Sequence, residues 1–270
     1  LGFGLGMIQT AVFSGSAIGP LLGGFLADAI GYRETFGVAS LMLLTAGLIT
    51  LFIVQERFEP VPKGEASDAS STWKVLLAPA LLALTVTMLV IRFASSAVQP
   101  IVPLYVDELA NTAGSTSTLA GVTLGVLGLT SAASSVFFGR LGDRRGHYPI
   151  LLVASLGAGL IYIPMALAQA PWHLIVLQAI FGVFAGGMIP AANALIAKVT
   201  DPARRGTVFG FMNTAASFGG FLGPLAGASL GAGIGFRATF LVTAAVLLAM
   251  VVALFLTGKR HGIEPDVPRD

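Results

Sequence analysis

Cysteine is absent, which removes disulfide scaffolds and thiolate metal sites from consideration. Charge is nearly as scarce. Fifteen Lys and Arg and thirteen Asp and Glu make 10% of 270 residues, against about 25% in soluble domains. A soluble fold of this size would lack the polar surface it needs. The formal net charge of +2 gives no electrostatic footprint for nucleic acid, and none is expected as a partner. There is no His-Glu-x-x-His pattern, no paired carboxylate and no deep histidine, so no catalytic set, metal site or cofactor is expected. The 34 glycines follow no three-residue period, and the alternation of a β-barrel is missing. What remains is apolar: 55% hydrophobic residues and a mean hydropathy of +0.87.

A helix needs about 20 apolar residues to cross a bilayer. Eight runs qualify, at 5–29, 35–54, 76–105, 118–138, 149–169, 172–197, 207–230 and 236–257. The fold class is therefore an all-α integral membrane bundle. Basic residues orient it. Arg57, Lys63 and Lys74, then Arg140, Arg144 and Arg145, then Lys198, Arg204 and Arg205, and finally Lys259, Arg260 and Arg269 fall on one side. Only Arg33 and Arg237 fall on the other, and Arg92 lies within a span. The segment 55–74 and the C-terminus are expected in the cytoplasm, and the protein in the cell (inner) membrane.

Shifted by 204 residues, 1–39 overlays 205–243 without a gap and with sixteen identities. GPLLGG (19–24) lies over GPLAGA (223–228), and GYRETF (31–36) over GFRATF (235–240). Such register is not the product of shared Gly/Ala composition; it is an internal repeat. The repeated pair opens the chain and closes it, with six spans after the polar segment. The division is 1–54 as the last two helices of one six-helix half, 55–74 as a linker, 75–257 as a second half and 258–270 as a tail. By the same shift, about 130 residues and four helices are expected upstream. Two halves with an even number of helices are related by an axis along the membrane normal, the parallel-repeat plan of secondary transporters.

Three motifs sharpen this. Gly15-x-x-x-Gly19-Pro20-x-x-Gly23-Gly24, repeated in part as Gly219, Gly223, Pro224 and Gly227, makes a smooth ridge for close helix packing, with a proline that bends the helix. Gly139-Arg-Leu-Gly-Asp143-Arg144-Arg-Gly146 gives glycines for a reversal and basic residues for a cytoplasmic loop. Asp201-Pro202 suits a helix start. The arrangement resembles the major facilitator superfamily, helices five to twelve of twelve, and its first motif resembles that of the drug:proton antiporters. The resemblance implies that the ridge seals one end of a cavity, and that Gly139–Gly146 is a latch on the inward side. At His147 and Tyr148 the chain departs from the basic residues usual there.

Arg92 sits 16 residues after Leu76 and 13 before Tyr105, about 24 and 20 Å from the two ends, too deep to reach water along the lipid. It must face a cavity or pair with a carboxylate in the upstream half. Ser96 and Gln99 share its helical face. Gln178 and Asn193, and Gln9 with its repeat counterpart Asn213, are further candidates for the cavity wall. No acidic residue lies mid-span. Asp28, Glu34, Asp107 and Glu108 sit at outer ends, so a proton carrier is expected upstream, with Asp28 as second candidate. One cation and a few amides among apolar residues suit a small amphiphile better than a sugar. The expected function is proton-driven efflux of such compounds by a monomer in the lipid bilayer, with no cofactor beyond the proton gradient. The alternative is a facilitator or symporter of the same fold.

Overall fold

A computed structural model describes residues 2–53, 76–110 and 116–261. The linker 55–74 and the tail beyond 261 lie outside the described residues. The chain forms α1 (Gly2–Ile30), α2 (Tyr32–Ile53), α3 (Pro79–Val98), α4 (Ile101–Ala110), α5 (Thr116–Arg145), α6 (His147–Ala166), α7 (Pro171–Val199), a 3₁₀ turn (Pro202–Arg204), α8 (Arg205–Ile234) and α9 (Phe236–His261). No strand occurs among the described residues.

Six stretches are long and apolar enough to cross a membrane: 32–53, 79–110, 117–145, 147–166, 171–199 and 236–258. Of α1, Ile18–Ile30 is apolar. Helix α8 has the length, with 30 residues, but its Gly, Ser, Thr and Asn content lowers its hydropathy. Outward faces are apolar: Phe36, Leu43 and Phe52 are all more than 70% exposed, and α2 buries no side chain. Lipid is the solvent that such a surface requires.

Two expectations are corrected. The run 76–105 is not one helix. Pro100 has no N–H to donate, so α3 stops at Val98 with Gln99 as its C-cap, and α4 restarts at Ile101. The two pieces cross as one broken span. Gly139 does not take part in a reversal either. It lies inside α5, which runs on through Arg145, because Arg is a good helix former and suits a helix C-terminus. Gly146 alone makes the turn, at φ 90°, a backbone state that glycine adopts without strain.

The repeat is structural as well as sequential. Gly31 and Gly235, 204 residues apart, break their helices at φ 93° and 87°. In each copy the threonine four residues on returns its hydroxyl to the glycine carbonyl, Thr35 at 2.8 Å and Thr239 at 3.1 Å. The core lies among α3, α6, α7 and α9, where Leu84, Ile91, Leu151, Tyr162, Leu174 and Phe240 are fully buried. Helix α3 packs mainly on α8 and α9, α5 on α7 and α1, and α6 on α7 and α9.

Candidate functional site

Glycines let several of the helices approach closely. Along α8, Gly219, Gly223 and Gly227 are buried against α3, where a Cβ would collide with the backbone of Leu89, Phe93 and Ala97. Along α7, Gly182 and Gly186 meet Thr130 and Ser134 of α5 in the same way. Two small residues four apart lie on one helix face and let the backbones approach. In α1 the outcome divides. Gly15, Gly19 and Gly23 face nothing within 4 Å. Gly24 meets the backbone of Ser117 and Gly121, and the carbonyl of Pro20 abuts Gly121.

These seams border a half-open cavity of about 270 Å³ lined from α1, α3, α4, α5, α6 and α7. Arg92, Ser96, Gln99 and Gln178 all lie on its wall, together with Ser95 and Ser131. Arg92 and Ser96 are one helical turn apart on α3, and Gln99 follows at the break. Arg92 has no carboxylate partner among the described residues. Gln178 is 2% exposed, and its Oε1 has no hydrogen-bond donor among the described residues. Such an acceptor is costly to leave unmet in a nonpolar surrounding. The apolar wall includes Leu124, Leu127, Ile189 and the rings of Tyr162 and Phe181, whose centroids are 4.8 Å apart. Tyr162 donates its hydroxyl to the carbonyl of Ala94 at 3.4 Å, which ties α6 to α3 behind the wall.

The remaining sequence candidates are not brought there. Asn193 shares a helix face with Gln178, but fifteen residues of rise put it about 22 Å along the axis, and it lies outside the lining. Asn213 is exposed on α8. The side chain of Gln9 lies outside the described residues.

At the Gly146 turn, Asp143 is 77% exposed and faces His147 Nε2 at 3.4 Å. Arg144 lies in the last turn of α5. His147 and Tyr148, the two departures from the basic pattern, are both buried. The ring of His147 lies against Gly142. Tyr148 donates its hydroxyl to the carbonyl of Leu254 at 3.0 Å, with its ring against Gly258, and so fastens α9 to the start of α6. Sequence reasoning assigned these two no role; the signal was their size and low polarity in a run of arginines.

At the opposite end, Asp28 Oδ2 accepts the Thr118 backbone N–H at 2.7 Å, and the Tyr32 hydroxyl lies 2.5 Å from Ser117 Oγ. These contacts join residues 85 to 90 apart in the chain, and no local pattern announces them.

The sequence matches the family model of the Major Facilitator Superfamily over residues 1–173 and 84–270. It is 34% identical over 230 residues to the "Multi-drug resistance efflux pump PmrA homolog" of Lactococcus lactis subsp. lactis (strain IL1403), covering 85% of this chain and 57% of that protein. The "Multidrug resistance protein MdtG" of Citrobacter koseri is 38% identical over the same shares, and that of Klebsiella pneumoniae (strain 342) 37%, over 85% of this chain and 56% of its own length. The chain thus spans a little over half the length of these relatives. A multi-pass bundle of helices, a glycine–proline ridge, an internal repeat and these matches agree: the chain belongs to the major facilitator superfamily.

Proposed function

We propose that the protein is a secondary transporter that exports small amphiphilic compounds in exchange for protons, by rocking one six-helix half against the other. The carrying observation is the cavity. Its wall is shared between α1, from the first half, and α3, α4, α5, α6 and α7, from the second, so a relative tilt of the halves opens and closes it. Its lining joins one guanidinium and a few hydroxyls and amides to a larger apolar surface, which suits an amphiphile. The names of the relatives support efflux of drugs. In this reading residues 1–54 close the first half, 55–74 link the halves, 75–257 form the second, and the linker and C-terminal tail face the cytoplasm of a monomer in the cytoplasmic membrane. The proton gradient is the energy source and no cofactor is needed. The proton carrier lies in the upstream helices.

The test is accumulation of a lipophilic dye in cells that lack their own pumps and express the full-length protein. Cells with the protein are expected to hold several-fold less dye, and an uncoupler to abolish the difference. Equal accumulation with and without the uncoupler removes the efflux reading. Arg92→Ala is expected to cut dye export at least tenfold at unchanged membrane abundance, as loss of a charged contact to a bound compound would. Lost abundance with normal transport per molecule would assign Arg92 to a structural ion pair instead.

A further inference from the structure

The two copies of the repeated helix pair differ where the first meets α5. At a shift of 204 residues, Gly24 corresponds to Ala228, Asp28 to Ala232 and Tyr32 to Phe236. The second copy builds the same helix, positive-φ glycine and helix without a carboxylate or phenol at those places. The helix pair as a fold therefore does not need them. In the first copy all three contact the beginning of α5. Gly24 permits backbone contact with Ser117 and Gly121, and its carbonyl accepts the Thr118 hydroxyl at 3.5 Å. Tyr32 meets Ser117, and Asp28 takes the Thr118 N–H.

That N–H is one of the four at a helix start with no partner inside the helix, at the positive end of the helix dipole. A carboxylate is the strongest acceptor a protein can offer it. Among the described residues α1 packs extensively on two helices only, α2 and α5, so this seam is its main tie to the second half. Pro20 and Leu124 line the central cavity and also a cleft of about 330 Å³ outside the seam, between α1, α2 and α5. Parting of the seam joins the two spaces. Asp28 and Tyr32 are both exposed, so their bonds can break into water without stranding a buried polar group.

We infer that Asp28 is a positioning residue for transport: by capping α5 across the interface between halves it holds the cavity shut at the end opposite the basic loops, and letting go of the cap is a condition for opening that end. This rests on the reading of two rocking halves but requires neither a particular substrate nor a proton step.

The test is made in the full-length protein with one cysteine introduced at Leu127, which lines the central cavity and not the cleft, and any others outside this chain replaced. The measurement is the rate at which a membrane-impermeant maleimide, applied from the outer face, labels that cysteine in the absence of any transported compound. Asp28→Ala is expected to raise the rate about tenfold, the shift that loss of one charge-assisted hydrogen bond supports. Asp28→Asn, which keeps an acceptor without the charge, should raise it about threefold, and Tyr32→Phe about twofold. Asp28→Glu should stay within about twofold of the parent, because the carboxylate is kept. An unchanged rate in Asp28→Ala overturns the inference, as does an equal rise in Asp28→Ala and Asp28→Glu, or a rise seen only with reagent from the cytoplasmic face. Should Asp28→Ala not reach the membrane, Asp28→Asn and Tyr32→Phe decide by the same criteria. Labelling needs no export, so failure of the efflux reading in the dye assay leaves this result standing by itself.

Discussion

In α8 the glycines 219, 223 and 227 carry the backbone of α3 on their surface; in α1 the glycines at matched positions, 15, 19 and 23, meet nothing within 4 Å. The same sequence pattern makes the same ridge twice, and the neighbours decide what lies on it. What the two pairs share is local: the proline inside the first helix, the glycine joint and the threonine that follows it. What they do not share is the face turned toward α5. Repetition therefore fixes the shape of each pair, and a few unmatched residues give the first pair a contact that the second does not make among the described residues.

The largest effects are expected at the ridges. A Cβ on Gly223 would lie 2.7 Å from the Phe93 carbonyl oxygen and 2.8 Å from Ser96 Cβ, so Gly223→Val forces two backbones apart. The expected loss is about 3 kcal/mol, read as a lower midpoint of thermal unfolding in detergent and less protein in the membrane. On the six-helix reading, the ridge of α1 is covered by a helix of its own half as that of α8 is by α3. Gly19→Val in the full-length protein is then expected to match Gly223→Val, and a Gly19→Val variant as stable as the parent breaks the equivalence of the two halves.

The joints come next. Gly31→Ala and Gly235→Ala each place a Cβ at positive φ, at a cost of about 1–2 kcal/mol. Gly31→Ala should cost more of the two, because a Cβ there also lies 2.8 Å from Glu34 Oε2, while at Gly235 it meets nothing. Equal melting shifts would mean that Glu34 moves aside freely. The smallest effect belongs to the threonines. In Thr35→Val and Thr239→Val the glycine carbonyl keeps its backbone N–H donor, at 3.2 Å in both copies, so each loss should stay near about 0.5 kcal/mol. A larger shift in Thr239→Val than in Thr35→Val would be traced to its complete burial.

Membrane helices announce themselves by length and apolarity, and six stretches of the structure meet that measure; the repeat was readable because its glycine joint and following threonine recur in register. The face of Arg92, Ser96 and Gln99 was readable too, since the cost of a deep charge points it away from lipid. The break between α3 and α4 escaped a scan for apolar runs, although Pro100 was in plain view, because hydropathy does not register a missing N–H. Gly139 misled by composition: a glycine beside arginines suggests a loop, but the helix needed only Gly146 to turn. Asn193 misled by angle, since a helical wheel gives direction around the axis and ignores distance along it. The ties of Asp28 to Thr118 and of Tyr148 to Leu254 link distant segments and depend on how the bundle assembles.

The interruption at Pro100 has a consequence for energetics. The last carbonyls of α3 have no donor within their own helix, and they fall in the stretch of Ser95, Ser96, Val98 and Gln99 that borders the central space. Oxygen atoms in that condition hold hydration tightly in a nonpolar medium. An open carbonyl in a nonpolar surrounding gains more from a donor than it would in water. The break therefore gives that border a polarity that no side chain supplies.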